Sequence, residues 1–486
     1  MEFGLLQVFE PQVMLGMAAG VVLGLFTGAT PGLTISMGMI VVLPLTFGLS
    51  PLTALAMLIG LYQAGMSGGS ISAILLNIPG TPAATATALD GYPLARRGEP
   101  ERAIQMACIA SFFGGLIGLF FLVLVAPLLA QVAIKFGPVE QFSLILVGLT
   151  LIAGLSEGVM IKGCVSAVVG LMLATIGMDP MVGTPRFTFG SLELMGGLSW
   201  LPVMIGGFAI PEILQGIGVA GQKAKERVGA LRIFRRINLA DIKRAYRSIL
   251  VGGLVGTGVG ALPGANAPVA VFLAYDLARR RGENPEEFGK GAIEGVAAPE
   301  AANNAVAGGA MIPLLTLGIP GDTVTAILLG AFTIQGFSPG PLFFFQETNL
   351  IYAIFLIFLV ANVLNLFTIY LLSPLLARLA FMPKGLLMPI IAVFCVMGSF
   401  LYRHNIIDVY VMVGAGLVAF LMRRYGFPFI PLILGMILGP PLEKNFRLSL
   451  ILSQGDPFTF LTSTISLSIL VFGLFLLVTT LRRKRV

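Results

Sequence analysis

The chain has 486 residues, of which 57% are hydrophobic and only 11% charged, and its mean hydropathy is +0.95. So few charged groups cannot cover the two or three soluble domains that such a length would otherwise suggest, so the composition excludes a soluble fold and calls for a lipid environment. The formal charge of +7 does not mark a nucleic-acid partner either: nine Lys/Arg and two acids fall between residues 223 and 247, and nine minus two is +7.

Apolar stretches long enough for a bilayer, about 20 residues each, occur at 13–29, 103–132, 139–155, 163–177, 200–219, 351–372, 386–401 and 461–481. The predicted fold is an all-α polytopic membrane protein with about eleven to thirteen membrane-embedded segments. Residues 1–95 hold no Lys or Arg, and Glu2 and Glu10 stand where a cleavable leader would be basic. No such leader is expected, and the N-terminus is placed outside. Arg96, Arg97 and Arg102, the stretch 223–247, Arg279 to Arg281 with Lys290, and Arg423 with Arg424 mark cytoplasmic loops. Arg482, Arg483 and Arg485 place the C-terminus inside. Cys108, Cys164 and Cys395 stand singly in apolar runs and read as packing residues, without disulfide or metal spacing.

The chain repeats itself. Gly20, Gly24, Gly28, Ala29, Pro31 and Gly32 recur as Gly252, Gly256, Gly260, Ala261, Pro263 and Gly264. Gly68-Gly69 is matched with Gly308-Gly309, and Ile78-Pro79-Gly80 with Ile319-Pro320-Gly321. The loops that follow carry opposite charge signatures. The turn 46–51 is uncharged where its counterpart holds Arg279 to Arg281; Arg96 and Arg97 have no basic counterpart in 336–347. Alternation of this kind predicts two inverted-topology repeats, with 1–220 as the first half, 221–247 as a basic cytoplasmic linker and 248–486 as the second half.

Broken backbone marks the candidate site. Pro31-Gly32 and Pro263-Gly264 interrupt apolar segments, as do the runs from Gly68-Gly69-Ser70 to Asn77, Pro79, Gly80 and Thr81, and from Gly308-Gly309 to Pro320, Gly321, Asp322 and Thr323. Proline removes a donor and glycine frees the backbone, so helices are expected to break there and form re-entrant hairpins with polar tips; ordinary loops at the membrane surface are the plainer reading. Half-helix N-termini at such tips suit an anion, while Asn77, Thr81, Asp322 and Thr323 can hold Na+. Glu300, Asn303 and Asn304 share one helix face in an apolar context, and with Asn266 they are read as cation-binding or hairpin-supporting, or else as an interhelical hydrogen-bond patch. The glycine ladder Gly16, Gly20, Gly24, Gly28 reads first as close helix packing. Asp90 and His404 read as loop residues.

A serine hydrolase would use Ser67 in Gly65-Met66-Ser67-Gly68 with His404, the one histidine, which stands at a segment edge. No HExxH zinc site and no phosphate loop occurs. A passive anion channel is the other alternative to a transporter with alternating access.

Gly28 to Gly32, Leu43-Pro44-Leu45-Thr46-Phe47, the run from Gly68 to Thr81, Asp90-Gly91-Tyr92-Pro93 and the long motif 295–322 together resemble the large membrane subunit of the tripartite tricarboxylate transporters, the TctA-like family. The resemblance covers nearly the whole chain. It implies import of citrate-like or other carboxylates across a bacterial inner membrane, with Na+ or H+ coupling and no cofactor. It also implies a small membrane subunit (TctB-like) and a periplasmic solute-binding protein (TctC-like).

Overall fold

The computed structural model describes residues 4–155, 160–218, 238–264, 267–379 and 384–483. Asn266, the linker up to residue 237 and the last basic residues from 484 lie outside them. The first helices are α1 (Pro11–Ala29), α2 (Ile35–Val42), α3 (Pro51–Leu76), α4 (Ala84–Arg96) and α5 (Pro100–Ala133). Then come α6 (Pro138–Leu155), α7 (Met160–Ala174), the one-turn α8 (Leu192–Met195) and α9 (Trp200–Gly218). α10 (Leu239–Gly260), α11 (Ala267–Arg281), α12 (Ile293–Leu317), α13 (Thr323–Ile334), the short α14 (Pro341–Gln346) and α15 (Thr348–Leu379) follow. The chain closes with α16 (Lys384–Arg403), α17 (Ile406–Arg424), α18 (Ile430–Leu452), the one-turn α19 (Thr459–Thr462) and α20 (Thr464–Arg483). Among the described residues the only strands are β1 (Gly177–Met178) and β2 (Pro185–Arg186), an antiparallel pair of two residues each.

This is an all-α polytopic membrane protein. Among the described residues five helices are long and apolar enough to cross a bilayer, including Pro51–Leu76, Pro100–Ala133 and Thr348–Arg378. The wholly buried α3 has a mean hydropathy of 1.2, whereas α5 reaches 2.6 with 39% of its span buried. Phe120, Leu124 and Leu128 on α5, and Phe367 and Leu371 on α15, are exposed. The outside is thus more apolar than the inside, as lipid demands and water forbids.

The chain divides into two compact units, 1–130 with 212–391, and 131–211 with 392–486. The second unit packs α7 and α6 against α18 and α20 against α6. Its β-hairpin is fastened by charge: Arg447 reaches Asp179 at 2.7 Å, and Arg186 makes a two-armed pair with Glu443 at 2.7 and 3.2 Å. The Arg447 guanidinium, helped by the N–H groups of Met181 and Val182, holds the Asp179 carboxyl down to about 2.

The first unit contains the matched segments of both copies of the repeat. In the first copy α1 lies on α3, and a Cβ at Gly20, Gly24 or Gly28 would come under 3.0 Å from the carbonyl of Met57, Leu61 or Gly65. In the second α10 lies on α12, and Gly252, Gly256 and Gly260 meet the carbonyls of Ala298, Ala302 and Val306 in the same way. Side-chain-free positions every turn let the backbones touch. Gly256→Ala should therefore cost about 1–3 kcal/mol by overpacking. Gly258→Ala on the same helix, with nothing within 4 Å, should be neutral or stabilising by up to about 1 kcal/mol. Equal thermal unfolding of the two variants in detergent would refute this packing.

The shared contacts also correct the alignment of the repeat. Gly68 meets Leu25 and Ala29, and Gly309 meets Thr257 and Ala261, which are the counterparts of those two residues. Gly68 therefore pairs with Gly309, and Gly69 with Ala310, rather than glycine pair with glycine pair. The difference is then constant along α3 and α12: 309 − 68, 321 − 80 and 298 − 57 are each 241. Ser67 accordingly falls opposite Gly308.

Candidate functional site

Each copy contains two breaks. α1 stops at Ala29 and α10 at Gly260, and the turns that follow hold Gly32 at φ 89° and Gly264 at φ 82°, a left-handed conformation that glycine adopts without strain. Pro31 and Pro263 stand beside them. The second break lies not at Gly68-Gly69 or Gly308-Gly309, which sit inside continuous helices, but after Leu76 and Leu317. A glycine pair alone costs helix stability without ending a helix; proline and a left-handed cap end it. Asn77 at φ 53° and Gly318 at φ 70° are these caps, and Pro79-Gly80 and Pro320-Gly321 follow.

The tips are packed into the repeat. Gly80 donates its N–H to Gly69 O at 3.4 Å, and a side chain on Gly80 would strike Gly28 O. Gly321 O accepts from Gly264 N at 2.8 Å, joining the second tip to the first break of its own copy. Gly80, Thr81, Pro320 and Gly321 are buried, Pro79, Asp322 and Thr323 half-buried, and Asn77 exposed. Ser70 Oγ donates to Ser67 O at 2.7 Å.

A polar seam joins the two copies. Tyr62 OH on α3 donates to Asp322 Oδ2 at 2.7 Å, Asn303 Nδ2 donates to Met66 O at 2.7 Å, and Ser67 Oγ donates to Asn304 Oδ1 at 2.8 Å. α2 packs on α13 while α4 packs on α11, which exchanges equivalent elements between copies. Exchange of equivalent partners is what two interlocked copies of one repeat produce.

Of the sequence-derived cluster, Glu300, Asn303 and Asn304 lie in this seam. Glu300 is wholly buried and accepts from Thr87 Oγ1 on α4 at 2.5 Å and from Ser111 Oγ on α5 at 2.9 Å. Asn304 Nδ2 donates to Glu300 O at 3.1 Å. Asn365 on α15, which the sequence did not single out, donates to Ser67 Oγ at 2.8 Å. The Ser67 hydroxyl is thus held between two amides and has no base bonded to it. His404 lies exposed at the end of α16, at φ 52°.

Asp90 corrects the sequence reading. It is not a turn residue but a fully buried one within α4. It accepts from Tyr275 OH at 2.8 Å and from the N–H groups of Gly291 and Ala292 at 2.7 and 2.8 Å. α12 has no cap of its own at Ala292, so a carboxylate from the other copy caps it, where the helix dipole favours negative charge. Gly295 leaves it room, since a Cβ there would collide with the carboxylate.

The two tips differ in their electrostatics. α13 carries its own anion: Asp322 Oδ1 accepts from Thr325 N and Thr325 Oγ1, both at 2.7 Å, in a capping box. The start of α4 has no side-chain cap. Among the described residues no three His, Cys, Asp or Glu gather to hold a metal ion.

Two copies of a broken helix pair, joined through a buried polar seam, define a multi-pass membrane permease. The chain belongs to the tripartite tricarboxylate transporter TctA family, which it matches over residues 14–434. It is 39% identical over 456 residues, 94% of this chain and 90% of the relative, to the Agrobacterium vitis protein described as "Uncharacterized 52.8 kDa protein in TAR-I ttuC' 3'region". It is 38% identical over 219 residues, 45% of this chain and 90% of the relative, to another from that organism, "Uncharacterized protein in TAR-II ttuC' 3'region". No solved structure matches the chain.

Proposed function

We propose that this chain is the permease subunit of a binding-protein-dependent secondary transporter that imports small di- or tricarboxylate anions of the citrate kind across a bacterial inner membrane, driven by a gradient of Na+ or H+. Its partners on this reading are a small TctB-like membrane subunit and a periplasmic TctC-like binding protein. The observation that carries the reading is the contrast between the tips. α13 has its N-terminus neutralised by Asp322, whereas α4 offers an uncapped N-terminus behind Pro79, Gly80 and Thr81. The N–H groups of Ala84 and Thr85 turn back on Thr81 O and Pro82 O, and the positive end of the dipole, with no anion of its own, is suited to a carboxylate.

In this mechanism the substrate lies against the first tip, lined by Gly69, Ser70 and Asn77 to Thr81. The second tip, from Gly308-Gly309 to Thr323, closes the site from the opposite copy, and Glu300, Asn303 and Asn304 hold the two copies in register. Bringing an anion into low dielectric is costly unless a cation accompanies it, which ties transport to the ion gradient.

Uptake of radiolabelled citrate, tartrate and succinate into proteoliposomes tests the proposal. The vesicles contain this chain and its small partner, with the binding protein outside and Na+ and H+ gradients imposed separately. Accumulation that needs the binding protein and one gradient is expected. Equilibration without a gradient would instead indicate a channel, and no flux of any carboxylate would overturn the substrate class.

A further inference from the structure

Tyr62 and Asp322 bond directly at the second tip. The relation between the copies carries Tyr62 to Asn303 and Thr81 to Asp322, since 303 − 62 and 322 − 81 are both 241. The equivalent pair at the first tip is therefore Asn303 with Thr81. There a long tyrosine is replaced by a short asparagine, and no bond spans the gap. Asn303 Oδ1 and Thr81 Oγ1 are both buried without a partner, in residues only 1% and 5% exposed.

Buried oxygens of this kind are costly unless something meets them. The amide of Asn303 is not free to turn, because Nδ2 is held by Met66 O at 2.7 Å. Its oxygen can only accept, so an anion is repelled there and a cation attracted. The wall of the gap is backbone: a Cβ at Gly69 would lie 2.7 Å from Thr81 Oγ1. Oxygens from a hydroxyl and an amide, both neutral, are hard ligands without charge, which suits a small monovalent ion.

We propose that Thr81 Oγ1 and Asn303 Oδ1 bind a sodium ion between the first tip and α12. This rests on the reading of the chain as a cation-coupled permease and names the ion and its place. Sodium there sits next to the end of α4 at which the carboxylate binds, so each ion offsets the desolvation of the other.

The test is thermal unfolding of the purified full chain in detergent, without substrate, in NaCl against choline chloride at equal ionic strength. The wild type should gain stability with NaCl and none with choline chloride, as a ligand of the folded state alone requires. Thr81→Val and Asn303→Leu, each close in shape but lacking the oxygen, should need about tenfold more NaCl for the same rise, the effect of one lost ligand of moderate strength. Thr81→Ser, which keeps the oxygen, should respond like the wild type. No difference between the salts in the wild type would mean a trapped water only. An unchanged response in both Thr81→Val and Asn303→Leu would put the ion elsewhere, and either result overturns the proposal. Because unfolding is read without flux, failure of carboxylate uptake leaves this measurement intact, and the reverse also holds.

Discussion

Asp90→Ala is expected to lower the stability of the first unit by about 3–5 kcal/mol, because one carboxylate satisfies three donors, two buried and one half-buried, whose orphaning costs about 1–3 kcal/mol each. The donors are Tyr275 OH and the N–H groups of Gly291 and Ala292. Nothing else caps the start of α12, and that helix carries Glu300, Asn303 and Asn304, so the loss should spread to the seam and to uptake. Asp276→Ala is the matched control. Asp276 pairs with Arg280 at 2.8 Å one turn away, with side chains 48% and 73% exposed, and such a pair contributes about 0.5 kcal/mol or less. Denaturant unfolding of the two variants in detergent measures the contrast. Should Asp90→Ala unfold within about 1 kcal/mol of the parent, the cap would be ornamental.

Glu300 separates support from chemistry. Removing its side chain in Glu300→Ala leaves the hydroxyls of Thr87 and Ser111 without an acceptor and opens a cavity where the residue is wholly buried. A loss of about 2–4 kcal/mol and a fall in uptake of about tenfold or more are expected. Glu300→Gln keeps the shape and one acceptor oxygen. If Glu300 holds α4 and α5 to α12 while sodium carries the coupling, this variant should keep Na+-driven uptake within about threefold, less than the tenfold that 1.4 kcal/mol represents. A folded Glu300→Gln protein with no uptake would instead place the charge of Glu300 in the coupling itself. Measuring both variants in the same vesicles, with Na+ and H+ gradients applied separately, gives the answer.

Much of the architecture was legible in the sequence because lipid writes a coarse code. Apolar runs of bilayer length, Pro-Gly pairs within them and the alternation of arginine between copies each have one physical meaning at this depth. Pro31-Gly32, Pro263-Gly264, Pro79-Gly80 and Pro320-Gly321 could be read as breaks because a missing donor ends a helix whatever its surroundings. Glu300, Asn303 and Asn304 stood out because polar side chains in an apolar run need partners.

What the sequence by itself determined, then, is the class, the repeat and the position of its proline-glycine breaks. Only the tertiary structure decided that Gly68-Gly69 lies inside a helix, that the copies align at a difference of 241, and that Asp90 is buried. The reason is the range of the interactions. The glycines are set by the carbonyl of a neighbouring helix, and Asp90 by donors some 200 residues away, at 275, 291 and 292. Such contacts leave no local period in a chain whose buried and lipid-facing sides are both apolar. The empty partnership of Thr81 and Asn303 is of the same kind, since two oxygens 222 positions apart (303 − 81) are unsatisfied only by virtue of where the two copies cross.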